Sequence, residues 1–239
     1  MDLALLSASL HRARARARDW GECALNLAFP WQESAEAEPV RVVAPFCRQC
    51  GEPFPALGQL DSTVVCHKCA KHRWHFQWAR AACRTNGQVL EAVLGFKYHE
   101  QFHHYRRLVA WLTEAYDQHA REDHWDALVP VPLYHRRHRE RGFNQANELA
   151  RGLAKNRNLR VLDCLYRYRE TISQTKLSRN ARWNNMANAF RMKRGFDVRG
   201  LNLLLIDDVF TTGATANACA QALAQAGAGS LAVLTVARS

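Results

Sequence analysis

The stretch Leu203-Leu204-Leu205-Ile206-Asp207-Asp208-Val209-Phe210-Thr211-Thr212-Gly213-Ala214-Thr215 decides the fold. Its four leading aliphatic residues suit a strand buried on both faces, as in a parallel sheet. The paired carboxylates Asp207 and Asp208 follow at the expected carboxyl end of that strand, where ligands bind in open α/β sheets. A hydroxyl-rich turn with one glycine comes next, and the alanine-rich run from Ala214 to Ala226 continues as a helix. Main-chain N–H groups at such a helix start, together with the local dipole, form a site for a phosphate. Thr211, Thr212 and Thr215 add hydroxyl donors. No lysine follows the glycine, so the run is not a Walker loop.

Working outward, the second half of the chain alternates strand and helix signals. Asp126 to Pro132 reads as a short strand whose prolines suit its end. A basic loop follows. Asn144 to Asn156 reads as a helix with Ala146, Leu149, Ala150 and Leu153 on one face, and Val161 to Tyr168 as a strand. Ser230 to Ala237 supplies a last strand. This alternation predicts a parallel α/β sheet flanked by helices. Upstream, Tyr105 to Tyr116 has helical spacing of its apolar positions.

Two basic elements stand beside the signature. Tyr134 to Arg141 carries Arg136, Arg137, Arg139 and Arg141 with two histidines. Arginine grips phosphate at two points, so this run suits a pyrophosphate or a nucleic-acid backbone. Residues 167–194 hold eight Lys/Arg against one acid, Glu170. Within them Gln174, Lys176, Arg179, Arg182, Trp183 and Asn185 form a polar segment that suits an active-site lid or a DNA contact. Trp183 fits either a stacking platform for a base or an anchor that packs the segment down.

Eight cysteines occur, and four fall as Cys47-Arg-Gln-Cys50 and Cys66-His-Lys-Cys69 with fifteen residues between the pairs. This C-x₂-C-x₁₅-C-x₂-C pattern predicts a closed, structural zinc site. Cys23, Cys83, Cys164 and Cys219 are isolated and read as small buried hydrophobes. The organisation expected is an N-terminal helix and linker over 1–45, a zinc ribbon over 46–72 and the α/β domain over 73–239.

The chain has 239 residues with 33 Lys/Arg against 22 acids, a net charge of +11. That excess favours polyanionic partners without choosing among them. No stretch approaches the ~20 apolar residues of a membrane helix. Asp2 stands where a signal peptide needs positive charge, so a cytoplasmic protein is expected.

The thirteen-residue stretch resembles the signature of type I phosphoribosyltransferases, which bind phosphoribosyl pyrophosphate (PRPP). The resemblance implies that Asp207 and Asp208 hold the ribose hydroxyls and that Thr211, Thr212, Gly213, Ala214 and Thr215 hold the 5-phosphate. Together with Arg139-x-Arg141-Gly-Phe-Asn-Gln145, Gln174-x₂-Leu177-x₄-Arg182-x₂-Asn185-x₃-Ala189-Phe190, Gly95-Phe96-Lys97-Tyr98, Pro130-Val-Pro132 and the four-cysteine ribbon, the chain over about 46–239 is similar to the ComF family of competence and DNA-utilisation proteins. This implies a type I phosphoribosyltransferase-like fold with a zinc ribbon, and the handling of single-stranded DNA in natural transformation or nutrient use. Three readings follow. One is a PRPP-fold protein acting on single-stranded DNA, with Arg136, Arg137, Arg139 and Arg141 on phosphates. Another is an active phosphoribosyltransferase, with Mg²⁺ on the pyrophosphate and Asp207 and Asp208 as catalytic residues. The third is an adaptor whose ribbon docks a helicase or DNA-uptake partner.

Overall fold

The computed structural model describes residues 39–54, 63–98, 102–169 and 188–239. Its centre is a four-stranded, wholly parallel sheet of β1 (Ala79–Arg84), β2 (Ala127–Pro130), β5 (Leu203–Phe210) and β6 (Leu231–Arg238), in the order β1-β6-β5-β2. A separate antiparallel ribbon joins β3 (Leu165–Arg167) to β4 (Phe190–Met192).

The aliphatic run of β5 is buried on both faces, as its composition requires. Leu203 and Leu205 enter one apolar cluster, while Leu204 and Ile206 enter the other. Strand β6 divides likewise, with Leu231 and Val233 on one side and Ala232 and Leu234 on the other. Helices α2 (Gly87–Tyr98), α3 (Phe102–His119) and α5 (Gln145–Arg157) cover one face. Helix α6 (Ala214–Gln225), the β3–β4 ribbon and the cysteine segment, which carries the short helix α1 (His67–Ala70), cover the other. Leu108, Leu112 and Ala115 bury one stripe of α3 at i, i+4, i+7 spacing. It crosses α5 at Gly152, where a Cβ would lie 2.6 Å from Val109 Cγ2 and 2.7 Å from the Tyr105 hydroxyl. Only a hydrogen fits in that gap.

The structure departs from the sequence expectations in four places. The run after β2 is not a loop but a two-turn helix, α4 (His135–Arg141). Its Arg136–Glu140 pair sits at i,i+4, a spacing that supports a helical turn. The stretch from Val161 to Tyr168 is not one strand of the main sheet. Val161 makes a single bridge to Leu128, the chain turns at Cys164, and Leu165–Arg167 then pairs with β4. The carboxylate pair lies within β5 rather than beyond it, because pairing with β6 continues to Phe210. Edge strand β1 was not foreseen at all, since Ala79-Arg-Ala-Ala-Cys-Arg84 lacks the β-branched residues that mark strands. Of the N-terminal helix and linker expected over 1–45, residues 1–38 lie outside the described residues, Cys23 among them. No described helix is long and apolar enough to cross a membrane.

Candidate functional site

Strand β5 delivers Asp207 and Asp208 to the carboxyl end of the sheet, beside the loop Thr211 to Gly213 that opens α6. Gly213 holds φ at +79° as the helix N-cap, and the Thr212 hydroxyl accepts the Ala214 N–H at 3.3 Å. Across from this loop, α4 and the start of α5 follow β2. Asn144 fastens that turn, accepting from the Ala146 N–H at 3.2 Å and donating to the Val131 carbonyl at 3.1 Å.

These elements enclose a cavity of about 350 Å³. Asp207, Asp208, Thr211, Gly213 and Thr215 line it together with Arg137 and Arg141. Thr212 faces a second cavity instead, and Ala214 is buried in the core. Arg136 and Arg139 stand exposed on α4 and do not line the cavity. The expected lid residues Gln174, Lys176, Arg179, Arg182, Trp183 and Asn185 lie outside the described residues.

Three lining residues were not singled out as ligand groups from the sequence. Lys97, at the end of α2, places its ammonium 2.8 Å from Asp208 Oδ2, with both side chains largely buried. Arg167 of β3 and Gln145 of α5 complete the cationic and amide wall. Gln145 is buried and accepts from Arg141 Nη1 at 3.1 Å, while its own Nε2 donates to nothing among the described residues. The only sequence signals were the motifs containing Lys97 and Gln145. Neither motif reveals that α2 and β3 converge on β5.

The carboxylate pair is electrostatically uneven. Asp207 is half-buried and lines the cavity. Loss of water around it, then repulsion from Asp208, pushes its carboxyl up to about 7, against the pull of the Asp208 N–H, Lys97 and Arg167. A carboxyl with a raised folded pKa favours its protonated form in the fold. Its cost to stability is absent below the ordinary value near 4, grows through about 7, and is constant above. Asp207→Asn removes that cost. Its melting temperature should therefore exceed that of the unaltered protein at pH 8, on the order of 5 °C. The difference should shrink toward pH 5. Melting curves across that range check it, and an equal offset at both ends would contradict it.

Cys47, Cys50, Cys66 and Cys69 converge, with their sulfurs within 4.8 Å of one another. The Cys66 N–H donates to Cys47 Sγ at 3.2 Å, and hydrogen bonds from Cys50 and Cys69 hold the Cys47 thiol far below its usual range. Four soft thiol donors at that spacing fit a tetrahedral ion such as zinc, with no open position for a substrate. The remaining described cysteines are buried. Burial pushes the Cys83 and Cys164 thiols up to about 11, so they behave as small hydrophobes rather than nucleophiles.

No family model matches the chain. Competence protein F of Haemophilus influenzae is 31% identical over 207 residues, covering 82% of this chain and 85% of that protein. The chain belongs to the ComF family. A second ComF relative, competence protein ComFC of Bacillus subtilis, is 26% identical over 83% of this chain and 80% of its own length. DNA utilization protein YhgH of Escherichia coli (strain K12) is 38% identical over 120 residues, and the chain spans about half the length of that relative, 50%. Among solved structures, adenine phosphoribosyltransferase of Saccharomyces cerevisiae aligns at a TM-score of 0.40 and 14% identity, over 59% of this chain and 72% of that one. At that overlap the ComF fold rests on its own sheet order and strand–loop–helix geometry. Those features agree with the phosphoribosyltransferase-like architecture implied by the sequence.

Proposed function

We propose that this ComF protein binds PRPP or a related ribose phosphate and handles single-stranded DNA during DNA uptake or utilisation in the cytoplasm. One observation carries the reading: a single cavity joins a carboxylate pair, a Thr/Gly loop at a helix start and a wall of Arg137, Arg141, Arg167 and Lys97. The loop suits a terminal phosphate, the carboxylates suit sugar hydroxyls, and the cations suit a pyrophosphate. Mg²⁺ would arrive with the pyrophosphate, and Asp207 and Asp208 are the carboxylates of the cavity that could take part in holding it. The names of the relatives, competence protein and DNA utilization protein, support the DNA part. A helicase or another DNA-uptake protein is the expected protein partner.

Both ligands would draw on the same arginines, and this makes the reading testable. If four phosphates are neutralised, log affinity for a single strand should fall with log salt at a slope of about −3. Replacing Arg137 and Arg141 by alanine should flatten the slope by about one to two units. PRPP with Mg²⁺ should weaken DNA binding in the unaltered protein and leave the double variant unaffected. An unchanged slope in the variant would place the DNA elsewhere. Release of pyrophosphate with the ribose 5-phosphate joined to an acceptor, rather than to water, would identify a transferase.

A further inference from the structure

The cysteine knuckle and the Thr211–Thr215 loop are distant in sequence, yet they share a wall. Gly213 is pressed between two rings: a Cβ there would lie 2.6 Å from Phe210 Cζ and 2.7 Å from Trp74 Cζ3. Trp74 is in turn tied to the knuckle, its indole N–H donating to the Cys69 carbonyl at 3.2 Å. The chain on both sides of Trp74 is clamped to α6. The Asn217 side chain accepts the His75 N–H at 2.8 Å and donates to the Arg73 carbonyl at 3.1 Å. Asn217 sits in the first turn of the helix that the loop opens, and its own N–H bonds the Gly213 carbonyl.

Phe210, the other ring, is tied to the other cysteine pair. Arg238 places its guanidinium carbon 5.1 Å from the Phe210 ring centroid. The same guanidinium donates to the Cys50 carbonyl at 2.6 Å, reaches Cys50 Sγ at 3.4 Å and pairs with Glu52. The next residue, Ser239, gives its N–H to the Phe210 carbonyl at 3.1 Å. Phe76 bridges the two sides, with ring centroids 5.0 Å from Trp74 and 6.3 Å from Phe210. Each cysteine pair therefore anchors one of the two rings that shape the loop. A metal on all four sulfurs would fix the spacing of the pairs, and with it the spacing of the rings.

We propose that Trp74 and Arg238 are positioning residues that make the metal knuckle the fixed wall of the phosphate loop, so that occupancy of the four cysteines sets the loop's affinity for a phosphate. This rests on the ribose-phosphate reading for its ligand, but the wall itself is testable without one.

The experiment follows amide hydrogen exchange across 205–216 in the full chain, with β6 as internal control, and titrates ribose 5-phosphate in parallel. Four forms are compared: zinc-loaded, chelator-stripped, zinc-loaded Trp74→Leu and zinc-loaded Trp74→Phe, with zinc content measured in each. Stripping and Trp74→Leu should each speed exchange at 211–215 while β6 stays protected. Each should weaken ribose 5-phosphate by roughly ten- to a hundredfold, the worth of a lost charge-assisted hydrogen bond. Trp74→Phe, which keeps a ring against Gly213, should recover most of both. If stripping exposes β6 as well, Trp74→Leu alone decides, because it retains the metal. Loop exchange in Trp74→Leu as slow as in the unaltered protein overturns the proposal. Faster loop exchange in a protein that ignores ribose 5-phosphate upholds the wall and overturns the ribose-phosphate reading.

Discussion

Serine in place of Cys47, or a chelator that strips the metal, lowers the melting temperature by roughly 10 °C or more. The estimate follows from the binding of structural zinc, which contributes directly to folding, about 10–16 kcal/mol in isolated finger peptides. In a chain of this size about 1 kcal/mol moves melting by 2–4 °C, so about half of that contribution gives the stated shift. The whole chain should not unfold to the same extent, because the other face of the main sheet is covered by a separate apolar cluster that contains none of the four cysteines. Elemental analysis of freshly purified protein should give one zinc per chain, and the Cys47→Ser protein far less. Unchanged melting in a metal-free preparation would show that the knuckle does not depend on metal.

The parts of the molecule that were legible in the sequence are those where local chemistry and tertiary context agree. Leu203 to Ile206 suits a doubly buried strand and Ala214 to Ala226 a helix, and both form with only the last residue of the helix differing. The cysteine spacing foretold a cluster that does form. Other features depend on long-range placement. Strand β1 is made of alanines, arginines and one cysteine, and it is a strand because β6 pairs with it from the far end of the chain. Helix α4 looks like a solvated basic loop until its i,i+4 pair and the turn at Gly142 are seen together. By sequence Lys97 is one residue of the Gly95-Phe96-Lys97-Tyr98 motif, with no role of its own. It becomes part of the site only because α2 ends over β5 and its ammonium meets Asp208. The arginines of α4 illustrate the converse: all four fit a phosphate by type, but helical geometry turns Arg137 and Arg141 toward the cavity and leaves Arg136 and Arg139 exposed.

In the proposed function, the carboxylate pair and the Thr/Gly loop together hold a ribose phosphate. A ligand that binds only the folded state stabilises it by about 2.7 kcal/mol at 100 times its Kd, which corresponds to a melting shift of roughly 5–10 °C here. Asp208→Ala removes the acceptor held by Lys97 and leaves the apolar strand intact, so it should fold and lose the response. The decisive measurement is therefore the melting temperature of the zinc-loaded protein and of Asp208→Ala, each with and without saturating PRPP and Mg²⁺. A shift of that size in the unaltered protein and none in the variant is the expected result. No shift in either, or the same shift in both, would contradict it.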